Sequence, residues 1–336
     1  MDILTQGLLG AVLAQSVAKK EETKLATVVG FIAGLIADAD IFIYSSNDPL
    51  LNIEFHRHFT HSLFFIPFGA AIAMLLLWPF FRKRLILSRL YLYSLLGYSM
   101  SGVLDACTSY GTHLLWPLSD ERIAFNIISV VDPVFSLLLF ITLLYSLRVE
   151  RKKIAHVGLM LAAGYMLLGF MQLQRAQAVA AQLAITRGHQ ATQHLVKPTL
   201  GNLFLWRSVY LHKNRFYVDA VRVGLFADNK IFEGESVNKF KHEKDLPNIV
   251  SPSVLLNDIQ RFNDFSNDYV VFADGQTNII GDLRYSMLPT SVKPLWGIVI
   301  DKNNPQVHAD YQFFRDSSPQ LRKEFFDMLF LTGSEQ

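Results

Sequence analysis

Three histidines stand within six residues in the run His56-Arg57-His58-Phe59-Thr60-His61-Ser62, and three aspartates, Asp38, Asp40 and Asp105, close apolar runs to either side of it. Imidazole and carboxylate together form a donor set for Zn, Mn or Fe. The histidine spacing matches no standard zinc finger, so the chemistry suggested is a cation site assembled from separate segments. Asp38 and Asp40 follow Gly30-Phe-Ile-Ala-Gly-Leu-Ile-Ala37, where the C-terminal end of the helix dipole disfavours negative charge. A carboxylate at mid-bilayer costs about 2.5–3.5 kcal/mol, which places the pair at a membrane boundary, where two acids call for a cation. Arg57 reads two ways: as a fork that pairs with two oxygens of a phosphate or oxyanion, or as a structural partner of Glu54.

The third element runs from Asp105 through Thr108, Gly111, His113, Trp116 and Pro117 to Asp120, Arg122 and Asp132. Asp105 ends another apolar run and is the natural partner of Asp38, Asp40 and the histidines. Thr108 and Gly111 supply turn chemistry that folds the loop back over the site. Trp116 suits an interfacial belt. His113 and Asp120 read either as loop residues or as ligands, and Cys107 as a small packed residue ahead of a soft ligand.

These residues must be positioned by the hydrophobic runs between them. A bilayer core of roughly 30 Å takes about 20 apolar residues. Leu25 to Tyr44, Ser62 to Phe81, Leu90 to Leu104, Val130 to Leu147 and Ile154 to Leu173 approach or meet that length, and Ile3 to Ala18, with Gln6 and Gln15, is the shortest. The expectation is six transmembrane helices, with five as the fallback. No basic leader or small-residue cleavage site marks the first run as a cleaved signal. Loop charge sets the orientation, because Lys and Arg stay on the cytoplasmic side. Lys19, Lys20, Lys24, Arg82, Lys83, Arg84, Arg89, Arg148, Arg151, Lys152 and Lys153 fall in one set of loops, against Arg57 and Arg122 in the other. The site loops, the N-terminus and everything after Leu173 are therefore expected outside the cytoplasm.

The formal charge of +2 gives no general case for nucleic-acid binding. One cysteine excludes an internal disulfide, so an exported C-terminal region must fold on its own core, for which roughly 160 residues suffice. Gln174 to Arg187 reads as a helix leaving the membrane. Beyond it, Phe204 to Tyr210, Phe216 to Phe226, Tyr269 to Ala273 and Leu295 to Ile300 are strand-like between turn signals such as Asp228-Asn229 and Asp274-Gly275. Gln320 to Leu331 has the spacing of a final amphipathic helix. The expected fold is an α-helical polytopic membrane domain over 1–173, a linker helix and loop over 174–200, and a smaller strand-rich α+β domain over 201–336. That last domain carries no Walker, dinucleotide or nucleophile-elbow pattern and reads as a binding or stabilising module.

The motifs Asp2-Ile-Leu-Thr5-Gln6-x-x-Leu9-Gly10-Ala11, Asp38-x-Asp40, His56-Arg57-x-x-Thr60-His61-Ser62 and Asp105-x-x-Thr108-Ser-Tyr-Gly111-x-x-Leu-Leu-Trp116-Pro117 resemble the bacterial inner-membrane metal-dependent hydrolase family related to the YdjM and YbcI proteins, over residues 1–150. Position 58 is His where the family pattern usually has Gly, and Ser101 stands where many members have His. The resemblance implies a hydrolase in the bacterial inner membrane, with Asp38, Asp40, His56, His61 and Asp105 matching the family's polar signature. In that scheme one or two divalent cations, Zn or Mn before others, acidify water, a neighbouring acid such as Asp120 or His58 takes the proton, and Arg57 steadies negative charge. The expected partners are membrane lipids and a lipid-like substrate, an ester or phosphoester at the outer membrane surface, and no nucleic acid. The competing reading is a non-catalytic membrane protein that uses the cation to staple its loops. A transporter is disfavoured, because the ionisable groups lie at one end of the spans rather than at mid-bilayer.

Overall fold

A computed structural model describes residues 1–225, 228–273 and 275–332; the expected strand end at Phe226 and turn residue Asp274 lie outside them. The chain divides into two compact units, one of residues 1–43, 55–171 and 200–203, the other of 44–54, 172–199 and 204–336.

The first unit is helical. α1 (Ile3–Val17), capped by the Asp2 side chain on Thr5 N, turns into α2 (Thr23–Ile36), which tightens into a 3-10 stretch over Ala37–Phe42. A single turn, α3 (Leu51–Phe55), comes next in the chain but falls, up to Glu54, in the other unit; the first unit resumes with α4 (Ile66–Phe81), α5 (Leu87–Ser99), α6 (Ser101–Ala106), α7 (Pro133–Val149) and the start of α8 (Lys152–Thr186). Glycines let three helices touch backbone to backbone: a Cβ on Gly30 would stand 2.5 Å from the Gly10 carbonyl oxygen, and one on Gly97 2.4 Å from that of Gly30. α1, α2 and α5 therefore form the tight centre from which α2 and α6 carry their aspartates. Leu8, Val12, Leu104, Phe135, Leu139 and Leu143 close the core on the α7 side. Phe68, Leu75, Leu137, Ile141, Met160 and Leu167 instead point outward, an apolar exterior suited to lipid.

The ends of the unit differ in chemistry. Lys20 pairs with Glu150 at 3.9 Å and Arg89 with Glu22 at 2.9 Å, bringing three of the basic loops to one end. At the other, Asp2 and Asp132 cap the starts of α1 and α7, Asp38 follows α2 and Asp105 lies near the end of α6.

Six spans are not what the helices provide. Lys20–Phe42, with 23 residues, and Lys152–Thr186, with 35, are long and apolar enough to cross a bilayer, and Leu51–His61 with Ile66–Phe81, bent by 93°, makes a third if a broken or re-entrant pair counts as one. The run Leu90 to Leu104 is interrupted at Met100, which leaves α5 with 13 residues, about 20 Å of helix at 1.5 Å per residue against the roughly 30 Å required. α1, with 15 residues, and α7, with 17, are apolar but short.

The second unit takes the last part of α8 from Gln172 and is otherwise strand-rich. β1 (Gln193–Pro198), β2 (Leu205–His212), β3 (Arg215–Arg222) and β4 (Lys230–Asn238) form one antiparallel meander. β2 and β3 turn on Lys213-Asn214, both at positive φ, the geometry of a two-residue hairpin that matches strand twist. α9 (His242–Asp245) and α10 (Val254–Phe265) lead into a second antiparallel meander, β5 (Val270–Phe272), β6 (Ile279–Asp282), β7 (Trp296–Val299) and β8 (Asp310–Phe313), before α11 (Pro319–Phe330). Val209, Phe216, Val218, Tyr269, Val271 and Leu283 fill one core between the sheets; Leu205, Ala220, Leu288, Met328 and Leu329 fill another with α11.

Candidate metal centre

Asp38 leaves the end of α2, Asp105 sits in α6, and His61 closes the short 3-10 turn Phe59–His61. α6 can approach that turn because position 102 is glycine: a Cβ there would lie 1.8 Å from the His61 carbonyl oxygen. Ser101 Oγ bonds the Gly34 carbonyl at 3.3 Å and Tyr98 Oη bonds that of Thr60 at 2.6 Å, which fixes α2, α5, α6 and the histidine turn in one frame. Ser101 thus serves as a packing residue here.

Within this frame His61 Nε2 lies 3.3 Å from Asp38 Oδ1 and 3.1 Å from Asp105 Oδ2. Each of the three residues offers a ligand atom within 4.8 Å of the others. The side chains of His61 and Asp105 are fully buried, and that of Asp38 is 11% exposed. His61 Nε2 has no hydrogen-bond partner among the described residues, since the carboxylate oxygens lie near it but off its axis. A buried polar atom left open costs about 1–3 kcal/mol, and two carboxylates beside it add repulsion. A cation bound by all three relieves both, so the donor set fits Zn or Mn.

Asp40 occupies a different position. Its Oδ2 accepts from Thr60 Oγ1 at 2.7 Å and Arg57 N at 2.9 Å, its Oδ1 lies 3.0 Å from His56 Nδ1, and Oδ2 is 3.2 Å from His61 Nδ1. Asp40 therefore orients both imidazoles, the role of a carboxylate behind a metal-bound histidine. Asp38, Asp40 and His56 also form a ligand-sized group of their own.

Arg57, at φ 62° and 4% exposed, turns its side chain inward. Nε lies 3.2 Å from Asp105 Oδ2, Nη1 donates to Thr108 Oγ1 at 3.3 Å, and the guanidinium covers the Tyr110 ring at 4.9 Å. Glu54 is engaged instead by Arg261, at 2.6 Å. Gln6 Nε2 donates to Asp105 Oδ2 at 3.1 Å, and the Met1 amine pairs with Asp105 Oδ1. Gln6 and Thr60 were visible in the sequence only as motif members; no spacing rule assigns them a role.

His58 and Asp120 gather elsewhere, with His113 as the third member. The His58 and His113 rings are 4.3 Å apart, with Trp116 beside His58 at 5.8 Å. The loop that carries His113 folds back as Thr108 and Gly111 suggested, through His113 N on the Arg57 carbonyl at 3.1 Å and Leu63 N on that of Leu114 at 3.0 Å. Burial, with the charges of Arg122 and His58, pushes the His113 imidazole down to about 3, so it is neutral at physiological pH. Cys107 packs against the core beside Leu104 and Ile128.

A model of the YdjM inner membrane protein family matches residues 1–176. Inner membrane protein YbcI of Escherichia coli (strain K12) is 36% identical over 96 residues, 28% of this chain and 54% of that relative. The match thus spans about half the relative's length. No solved structure matches the chain.

Proposed function

The chain belongs to the YdjM inner membrane protein family, and from that premise we propose that it is a membrane-bound, metal-dependent hydrolase acting at the outer membrane-water interface on a lipid or lipid-linked ester or phosphoester. The observation that carries this reading is His61 Nε2, buried without a hydrogen-bond partner among the described residues and flanked by Asp38 and Asp105. Those three side chains would hold a divalent cation, with Zn or Mn the first candidates. A cation bound there supplies Lewis acidity and a water acidified toward neutral pH.

The chain's own residues do the rest. Asp40 and Thr60 hold the His61 ring with Nε2 directed between the carboxylates. Arg57 adds a fixed positive charge beside Asp105, placed to steady negative charge that develops near the cation. Asp38, the most exposed of the three ligands, marks the side from which substrate would enter. The apolar exterior and the basic loops at the opposite end support a membrane setting with this end outside the cytoplasm, and the strand-rich region beyond α8 would lie on the same side as a binding or stabilising module.

The near-complete burial of the ligands favours a second reading, a cation that staples α2, α6 and the histidine turn without turnover. Full-length protein in lipid vesicles, assayed on fluorogenic carboxylic ester and phosphodiester lipids, separates the two. On the catalytic reading Asp38→Asn abolishes hydrolysis while the protein stays folded in the membrane. Absence of turnover by the metal-loaded wild type, with Asp38→Asn lowering only thermal stability, overturns the catalytic reading in favour of stapling.

A further inference from the structure

His58, His113 and Asp120 play no part in the arrangement around His61, yet each offers a ligand atom within 4.8 Å of the others. They come from two loops: His58 precedes the 3-10 turn, and His113 and Asp120 lie on the long segment between α6 and α7. Backbone bonds from His113 N to the Arg57 carbonyl and from Leu63 N to the Leu114 carbonyl hold these loops together, so the approach of the two rings does not depend on the side chains alone. Phe55, at 5.4 Å, and Trp116, at 5.8 Å, wall the His58 ring.

His113 Nδ1 is buried and has no hydrogen-bond partner among the described residues. A neutral imidazole keeps one nitrogen lone pair, which can take a metal. Simple aromatic packing accounts for the approach of the two tilted rings, but not for a buried, unpartnered ring nitrogen in a group that also contains a carboxylate. Two imidazoles and one carboxylate, with Asp120 exposed to solvent, make a three-ligand set of the kind to which water adds a fourth ligand.

We propose that His58, His113 and Asp120 form a second divalent transition-metal site, separate from the one assigned to Asp38, His61 and Asp105. Imidazole ligands suit Zn, Co or Ni better than Mg or Ca. The ion ties the loop after α6 to the histidine loop, at a place reachable from solvent.

Co2+ serves as the probe. Full-length protein in detergent is stripped with chelator and titrated while its visible absorption is followed, and bound metal is counted by elemental analysis. The wild type is expected to bind two ions per chain. Asp120→Asn and His113→Ala should each weaken one ion about 10–100-fold, in the range expected for damage to a metal's coordination shell, and leave the other unchanged. Asp38→Asn should show the converse. Asp120 is on the surface, so its substitution tests the site even if His113→Ala fails to fold. Equal stoichiometry and affinity in the wild type and Asp120→Asn would overturn the proposal, as would loss of both ions in Asp120→Asn. A wild type that binds one ion, lost in Asp38→Asn and kept in Asp120→Asn, sinks the second site alone and spares the first.

Discussion

Asp258 in the strand-rich unit and His61 in the helical unit each stand within a group of imidazole and carboxylate of metal-binding size, Asp48–Asp258–His308 in one case and Asp38–His61–Asp105 in the other. Around Asp258 the protein closes the group itself. His308 Nδ1 lies 2.9 Å from Oδ2, Ala309 N donates to the same oxygen at 2.9 Å, and Arg261 donates to Oδ1 at 3.1 Å. Arg261 also takes both oxygens of Asp48, at 3.1 and 2.9 Å. Around His61 the closure is incomplete: Arg57, Gln6 and the Met1 amine meet the Asp105 carboxylate, but Nε2 has no hydrogen bond among the described residues, though two carboxylates lie within 3.3 Å. Closeness of ligand-type residues therefore does not distinguish a metal site from an ion-pair network. Whether the protein's own donors satisfy the group does.

The largest effect expected from that difference is in stability and metal content together. Asp105→Ala leaves Arg57 buried beside a lost counter-charge, a cost on the order of 3–5 kcal/mol, and should remove the bound ion. Asp258→Ala takes away the acceptor of Arg261, His308 and Ala309 N, a loss of about 1–3 kcal/mol, with metal content untouched. Thermal unfolding of both variants, with and without added Zn2+, checks the pair; a zinc-dependent shift in wild type that Asp258→Ala abolishes would erase the contrast.

A smaller effect should appear with pH. Burial alone would raise the Asp48 carboxyl, but the hydrogen bonds and charge of Arg261 outweigh it, with a lesser push from His308, and hold it below its ordinary value. A carboxyl depressed in the fold contributes stability above its unfolded value of about 3.9, and that contribution is lost as pH falls through the folded one. The strand-rich unit should therefore lose stability below about pH 4, and Arg261→Gln should flatten that slope. Chemical unfolding of the full chain, followed by tryptophan fluorescence across pH 2–7, reads it; an unchanged slope in the variant would mean that Arg261 does not set it.

Much of the helical unit could be read in the sequence because its logic is local. Apolar runs marked α2, α4, α7 and α8, and the aspartates ending two of the runs announced where polar chemistry would gather. What escaped depends on packing. Leu90 to Leu104 looks like one helix, but the helix breaks at Met100, with the Ser101 hydroxyl bonding Gly34 and Gly102 seated on the His61 carbonyl. The division of labour between Asp38 and Asp40 depends on which oxygens Thr60 and Arg57 occupy, and spacing cannot give that. Spacing cannot place His113, because the His58 ring it meets is distant in sequence. In the strand-rich unit β2, β3, β5 and β7 were legible as Val, Tyr and Phe runs. β1 and β4, with Lys197, Glu233 and Glu235 among their residues, read as polar. The β2–β3 hairpin turns on Lys213-Asn214 without the glycine that usually signals it. α10 is hard to read in the sequence although Ser253 caps it and Leu255, Ile259 and Phe262 recur on one face, a pattern masked by the polar residues between them.

The account rests on a cation at His61, and anomalous scattering from the metal-loaded full-length protein tests it most directly. The predicted result is an ion about 2.0–2.2 Å from His61 Nε2 and from a carboxylate oxygen each of Asp38 and Asp105, with Asp40 still behind the ring at Nδ1. The contradictory result is no scatterer there and a His61 Nε2 that donates a hydrogen bond to one of the two carboxylates, which would make this group an ion-pair network like the one around Asp258.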